Sequence, residues 1–119
     1  MLGGQIKMKD NILPEGKWVF DEEVANCFED MLQRSIPQYE IMRKVTFDLG
    51  SFFMKNKKWF SLLDIGCSDG LGLVDYIKRF GAHGQYLGID CSEAMLKKAE
   101  ERFHGYCKAG ICREKLFPP

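Results

Sequence analysis

The spacing of apolar residues changes along this chain, and each change marks an element. From Asp21 onward, Val24, Cys27, Phe28, Met31 and Leu32 fall at offsets 0, 3, 4, 7 and 8, the stripe of a single helix face. Asp21 is an acceptor suited to the free N–H groups of the first turn, and Glu22 and Glu23 suit the positive end of the helix dipole. Ser35-Ile36-Pro37 predicts the end of that helix and the start of another, because proline is tolerated in a first turn. The second helix is expected to turn Ile41, Met42, Val45, Leu49, Phe52 and Phe53 inward, with Gly50 interrupting the pattern and Lys55-Asn56-Lys57-Lys58 closing it as a solvated connector. The period then shortens. Trp59 to Ile65 is a short apolar run of strand length, and after a cluster of glycines the helical spacing resumes through Leu73-Val74-Asp75-Tyr76-Ile77-Lys78-Arg79-Phe80. Gly81-Ala82-His83-Gly84 makes a turn, Gln85 to Asp90 a second strand, and Ser92 the cap of a helix from Glu93 to about His104. That last helix buries Met95, Leu96, Ala99 and Phe103. Residues 58–104 thus read as strand, helix, strand, helix, a unit whose strands are parallel and whose crossover is right-handed. Beyond it the tail offers one poor strand around Ala109 to Cys112 before Pro118 and Pro119.

The chemistry concentrates where the first strand meets its helix, at Asp64-Ile65-Gly66-Cys67-Ser68-Asp69-Gly70-Leu71-Gly72. Glycines there allow positive φ and close approach of a ligand to the backbone, and the unpaired N–H groups of a helix start point toward it. Asp90, at the end of the second strand, lies 20 residues beyond Gly70, close to the separation at which a carboxylate meets ribose hydroxyls in nucleotide-binding folds. The glycine spacing is G-x-x-x-G-x-G, not G-x-G-x-x-G, which argues against a nicotinamide dinucleotide.

Composition narrows the setting. A chain of 119 residues with 45% apolar content buries one modest core. Its 17 basic and 17 acidic residues cancel, so no overall field draws it to nucleic acid or to an anionic membrane. The five cysteines are odd in number and lack paired C-x-x-C spacing, which leaves no metal site and predicts reduced thiols and a cytoplasmic protein. Cys67, within the glycine turn, and Cys91, next to Asp90, read as small thiols, not nucleophiles, since neither His83 nor His104 stands in a fixed relation to them. No run approaches the roughly 20 apolar residues of a membrane span.

With these residues in view, the chain resembles class I S-adenosylmethionine-dependent methyltransferases. Asp64-Ile65-Gly66-Cys67-Ser68-Asp69-Gly70 fits the family's first motif, with Ser68 in place of its middle glycine. Trp18-Val19-Phe20-Asp21-Glu22-Glu23-Val24, Phe28-Glu29-Asp30-Met31 and Gln33-Arg34-Ser35-Ile36-Pro37-Gln38-Tyr39 resemble the opening of the carboxy-S-adenosylmethionine synthase group, as does the Gly66-Cys67-Ser68 variant of the turn. The resemblance implies S-adenosyl-L-methionine, or its carboxylated derivative, as cofactor. It implies a site of Tyr39, Asp64, Gly66, Cys67, Ser68, Gly70, Asp90 and Cys91, with no catalytic side chain identified.

The expected architecture is therefore α/β: an incomplete Rossmann-like, class I methyltransferase parallel sheet preceded by helices. Residues 1–19 form an arm, 20–57 a helical segment and 58–119 a partial S-adenosylmethionine-binding domain. The turn that reads adenine and the region that carries substrate groups in the family have no counterpart here, so the expectation is a truncated member, active in methyl transfer to an unknown acceptor once completed. Two alternatives stand beside it. One is a carboxy-S-adenosylmethionine synthase-like enzyme of tRNA wobble-uridine modification; the other is a non-catalytic module. Two parallel strands leave open edges, which a homo-oligomer would complete; no membrane partner is expected, and no feature points to nucleic acid.

Overall fold

The computed structural model describes residues 19–108, 110 and 113–117. The expected N-terminal arm therefore lies outside the described residues apart from Val19, as do residues 109, 111 and 112 of the expected tail strand. The elements are α1 (Glu22–Ser35), α2 (Tyr39–Met54), β1 (Phe60–Ile65), α3 (Leu71–Phe80), a 3₁₀ turn (Gly81–His83), β2 (Gly84–Ile89), α4 (Glu93–Lys108) and β3 (Arg113–Phe117).

The sheet has the order β1-β2-β3 with both pairs parallel. β1 and β2 run in register from Phe60 opposite Gly84 to Ile65 opposite Ile89. The third strand corrects the sequence expectation: it lies at Arg113–Phe117, beyond the weak run at 109–112. Arg-Glu-Lys-Leu-Phe has little strand character of its own, and what defines it is backbone pairing with the edge of β2, Gln85 opposite Arg113 through Ile89 opposite Phe117.

Alternation along β1 turns Phe60, Leu62 and Asp64 toward the helices and Ser61, Leu63 and Ile65 away from them. On the helix side one core joins Leu73, Val74, Tyr76 and Ile77 of α3 with Tyr86 of β2 and Ala99 and Phe103 of α4. Tyr86 is fully buried, and its hydroxyl is satisfied by donating to the Gly81 carbonyl at 2.9 Å. Met95, Leu96, Ala99 and Phe103 are all buried, as the helical period predicts. On the other side of β1, Leu63 and Ile65 are open to solvent, Ile65 at 77%.

The N-terminal helices follow the pattern in one case and depart from it in the other. Asp21 caps α1, its Oδ1 accepting from the Val24 N–H at 3.0 Å, and Val24 and Cys27 are buried, with Phe28 and Met31 packed beside them. Between α1 and α2, Pro37 sits in a connecting turn and not in a helix, because Gln38 takes a left-handed conformation, φ 56°, and α2 begins at Tyr39. The face of α2 expected inside points outward: Ile41, Met42, Val45, Leu49, Phe52 and Phe53 are each about half or more exposed. The physical reason is Gly50. A Cβ there would lie 2.3 Å from the Tyr76 hydroxyl, so the glycine admits the Tyr76 ring, whose Oη donates to the Thr46 carbonyl at 2.9 Å. Phe47 packs against Tyr76 with ring centroids 5.1 Å apart and planes tilted by 57°, and Met54 joins the same core. The narrower side of the helix takes the contact and the broader apolar stripe is left outside.

Candidate functional site

The strand ends determine where the site lies. β1 and β2 both finish at the edge where the chain turns into α3 and α4, the place at which open α/β sheets bind ligands. The glycine turn between β1 and α3 is pinned to the end of β2: the N–H groups of Gly66 and Cys67 both donate to the Ile89 carbonyl, at 2.7 and 3.0 Å. The chain then reverses through three residues of positive φ, Gly66 at 75°, Ser68 at 50° and Gly70 at 75°. Ser68 bears the cost of being a non-glycine residue in that region, and its N–H is held at 2.8 Å by Asp90 Oδ2. The other Asp90 oxygen accepts the Ser92 N–H at 2.8 Å. A single carboxylate thus braces both turns that leave the sheet.

Next to it, Asp69 is buried and Arg102 of α4 reaches it twice, Nη2 to Oδ2 at 2.8 Å and Nε to the carbonyl at 3.1 Å. Asp69 Oδ1 accepts the Leu71 N–H at 3.2 Å, and Gly70 donates to the Cys67 carbonyl at 2.9 Å. The first turn of α3 is held from the opposite side by Arg43 of α2, which donates to the Leu71 carbonyl and to Asp75, both at 3.0 Å. These bonds correct one expectation. The N–H groups of Gly66, Cys67, Ser68, Gly70 and Leu71 are used inside the protein, so most of the turn's donors are spent on its own fold and it presents chiefly its shape to whatever lies above it.

That shape is open at Gly66, where a Cβ would meet nothing within 4 Å, and closed at Gly70, where it would lie 2.5 Å from the Phe103 ring. Asp64 stands on the helix side of β1, with Oδ2 3.4 Å from where a Gly72 side chain would begin. Burial, followed by the nearby charge of Asp90, raises its pKa above the ordinary 3.8. The Cys67 thiol is pushed up to about 11, first by burial and then by Asp64 and Asp90, so it stays protonated at neutral pH and is no nucleophile. Cys91 lies exposed at the rim, beside a groove of about 490 Å³ shared with Phe20, Ser92 and Lys97. Tyr39 opens α2, half-buried, with the Arg43 guanidinium 5.9 Å over its ring. It borders a cavity of about 190 Å³ together with Gly72 and Tyr76. Its pKa is raised, chiefly by burial against the opposing effect of Arg43, with Asp69 among the smaller contributors.

Of the residues singled out in the sequence, Asp64, Gly66, Cys67, Ser68, Gly70 and Asp90 come together at the strand ends. Cys91 marks the rim, and Tyr39 approaches from the helical segment by way of Gly72. Sequence reasoning missed Asp69, Arg102 and Arg43, which hold the turn; only the acid inside the glycine cluster gave any sign of this. Among the described residues no group of His, Cys, Asp and Glu is arranged to hold a metal ion, and no helix is long and apolar enough to cross a membrane.

Parallel strands β1 and β2 joined through α3, a left-handed glycine turn after the first and a carboxylate after the second are the arrangement of a Rossmann-like fold of the class I methyltransferase type. Residues 62–114 match the methyltransferase domain family. The carboxy-S-adenosyl-L-methionine synthase of Wolinella succinogenes is 38% identical over 104 residues, 83% of this chain and 42% of that protein. The synthase of Helicobacter hepaticus is 36% identical, over 83% of this chain and 44% of its own length. Among solved structures, an S-adenosyl-L-methionine-dependent methyltransferase from Methanococcus maripaludis, itself a provisional assignment, superposes with a TM-score of 0.60 at 13% identity, over 89% of this chain and 46% of that one. One from Aquifex aeolicus gives 0.55 at 20%, over 85% and 48%. These two establish the fold. The chain spans less than half the length of the curated relatives it matches.

Proposed function

We propose that the turn between β1 and α3 binds S-adenosyl-L-methionine or its carboxylated derivative, with Asp64, Gly66, Cys67, Ser68, Gly70, Asp90 and Cys91 forming the site and Tyr39 closing it. One observation carries the reading: five N–H groups of the turn, those of Gly66, Cys67, Ser68, Gly70 and Leu71, are already bonded, and two carboxylates, Asp64 and Asp90, stand beside it. A phosphate cradle needs the opposite, free donors and no adjacent anions. What suits this site is a nucleoside with no phosphate and with positive charge, offered close approach at Gly66 and a carboxylate for its ribose. When bound, such a cofactor supplies an activated sulfonium, so the protein's share of the chemistry is positioning.

Within that class, methyl transfer to an acceptor is the general activity. The synthases among the relatives, together with Gly66-Cys67-Ser68, favour the carboxylated cofactor, in the setting of tRNA wobble-uridine modification. A different observation, the exposed apolar face of α2, favours a second reading in which the chain assembles with another copy and catalyses nothing by itself. Titration of the 119-residue chain with S-adenosylhomocysteine tests the first reading. Measurable affinity in the wild type that Asp90→Ala lowers at least tenfold supports a working site, on the scale of about one charge-assisted hydrogen bond. No uptake by the wild type overturns it. A native mass spectrum of the same sample reports any retained cofactor, its carboxylation by its mass, and the assembly state.

A further inference from the structure

We propose that Arg102 and Asp69 form a clamp by which α4 holds the glycine turn in its binding shape. Both are positioning residues, and the inference rests on the reading of that turn as a cofactor cradle. Asp69 is 4% exposed, and a carboxylate that deeply placed must be paired. Its partner grips more than the charge. The guanidinium of Arg102 bonds one carboxylate oxygen and the backbone carbonyl of the same residue, at 2.8 and 3.1 Å, while the second oxygen caps the Leu71 N–H at 3.2 Å. Three acceptors of one residue are thereby fixed at once, so rotation of the peptide units flanking Asp69 breaks several bonds together. The turn needs such support because Ser68 and Gly70, on either side of Asp69, both have positive φ, 50° and 75°, and strained backbone persists only where its surroundings over-determine it. Asp90 braces the turn from the sheet and Arg43 from α2; Arg102 closes the third side.

The test pairs ligand affinity with local hydrogen exchange, using Arg102→Met, Arg102→Lys, Asp69→Asn and the Arg102→Met/Asp69→Asn double variant of the full chain. S-adenosylhomocysteine affinity is expected to fall about tenfold in Arg102→Met and in Asp69→Asn, the loss of one charge-assisted hydrogen bond, and about as far, not further, in the double variant, since the two act as a unit. Arg102→Lys, which keeps the charge but not the fork, should recover part of the loss. Amide exchange should rise over residues 66–72 and stay unchanged at Ile77, Tyr86 and Phe103. Wild-type affinity in either single variant, strictly additive losses, or a loss of protection spread evenly through the core each overturn the clamp. Should Arg102→Met fail to fold, Arg102→Lys and Asp69→Asn carry the same comparison. If the wild type takes up no S-adenosylhomocysteine, the cofactor reading falls, and the exchange result decides the clamp alone: a rise confined to the turn upholds it and unchanged exchange refutes it.

Discussion

Gly66 and Gly70 share a φ of 75° but differ in what surrounds them, which makes them a matched pair for separating backbone strain from packing. Alanine at either position places a Cβ in the left-handed region, at a cost of about 1–2 kcal/mol. At Gly66 nothing more is added, because no atom lies within 4 Å of the new carbon. At Gly70 the carbon would stand 2.5 and 2.6 Å from two atoms of the Phe103 ring and 3.1 Å from Ala99 Cβ. Phe103 has no exposed surface and cannot swing away, so overpacking adds roughly 1–3 kcal/mol, for a total of about 2–5 kcal/mol. Against the roughly 5–15 kcal/mol that holds a typical domain together, that is a large fraction.

Urea unfolding followed by circular dichroism reads the difference. With a slope of about 1 kcal/mol per molar for a small domain, the midpoint of Gly70→Ala should fall below that of Gly66→Ala by roughly 1 M or more. Adding Phe103→Leu should make the Gly70→Ala/Phe103→Leu variant less destabilised than the sum of its parts, because the smaller side chain vacates the space the new methyl needs. Affinity should show the reverse order of sensitivity: Gly66→Ala, the less damaging of the two to folding, projects into the opening over the turn and should abolish S-adenosylhomocysteine binding. Equal midpoints for the two alanines, or strict additivity with Phe103→Leu, would refute the packing argument.

Three further outcomes follow from the same geometry. Asp64 has a folded-state pKa above the ordinary 3.8, so the folded chain binds a proton more tightly than the unfolded one and loses stability as pH rises from 3.8 through the raised value. Asp64→Asn removes that loss, and thermal unfolding should show its advantage over wild type growing as pH rises above about 4 and levelling off once the pH has passed the raised value. Cys67 is buried with its thiol pushed up to about 11, whereas Cys91 is exposed; iodoacetamide at about pH 8 should label Cys91 and leave Cys67 unmodified until the chain unfolds, as peptide mass mapping would read. Ser92→Ala removes both the acceptor for the Met95 N–H and the hydroxyl that donates to the Phe20 carbonyl, and should cost about 1–2 kcal/mol in urea unfolding.

Much of this was legible because the signals were local. Asp21 and Ser92 announce their helices by the acceptors they carry, and Met95, Leu96, Ala99 and Phe103 by their period. The run from Asp64 to Gly70 declares a turn because its glycines sit where left-handed backbone is needed. β3 was not legible, since Arg113 to Phe117 becomes a strand by adding to an existing edge, and nothing in those five residues demands it. Nor was the partnership of Arg102 with Asp69, which spans 33 residues and follows no period.

The case of α2 shows where the limit of pattern reading lies. Periodicity identifies a face but carries no information about its direction, and the inference that the broadest apolar stripe points inward holds only if nothing else on the helix fits its neighbour better. Here something does. Gly50 opens a notch for Tyr76, Thr46 offers a carbonyl to its hydroxyl, Phe47 meets its ring, and Arg43 ties Leu71 and Asp75. Those four residues bring α2 onto α3, and because Arg43 also lies over Tyr39, the docking that turns the apolar stripe outward is the same docking that delivers Tyr39 toward the glycine turn. Gly50, which weakens the helix as a sequence signal, is the residue that permits both.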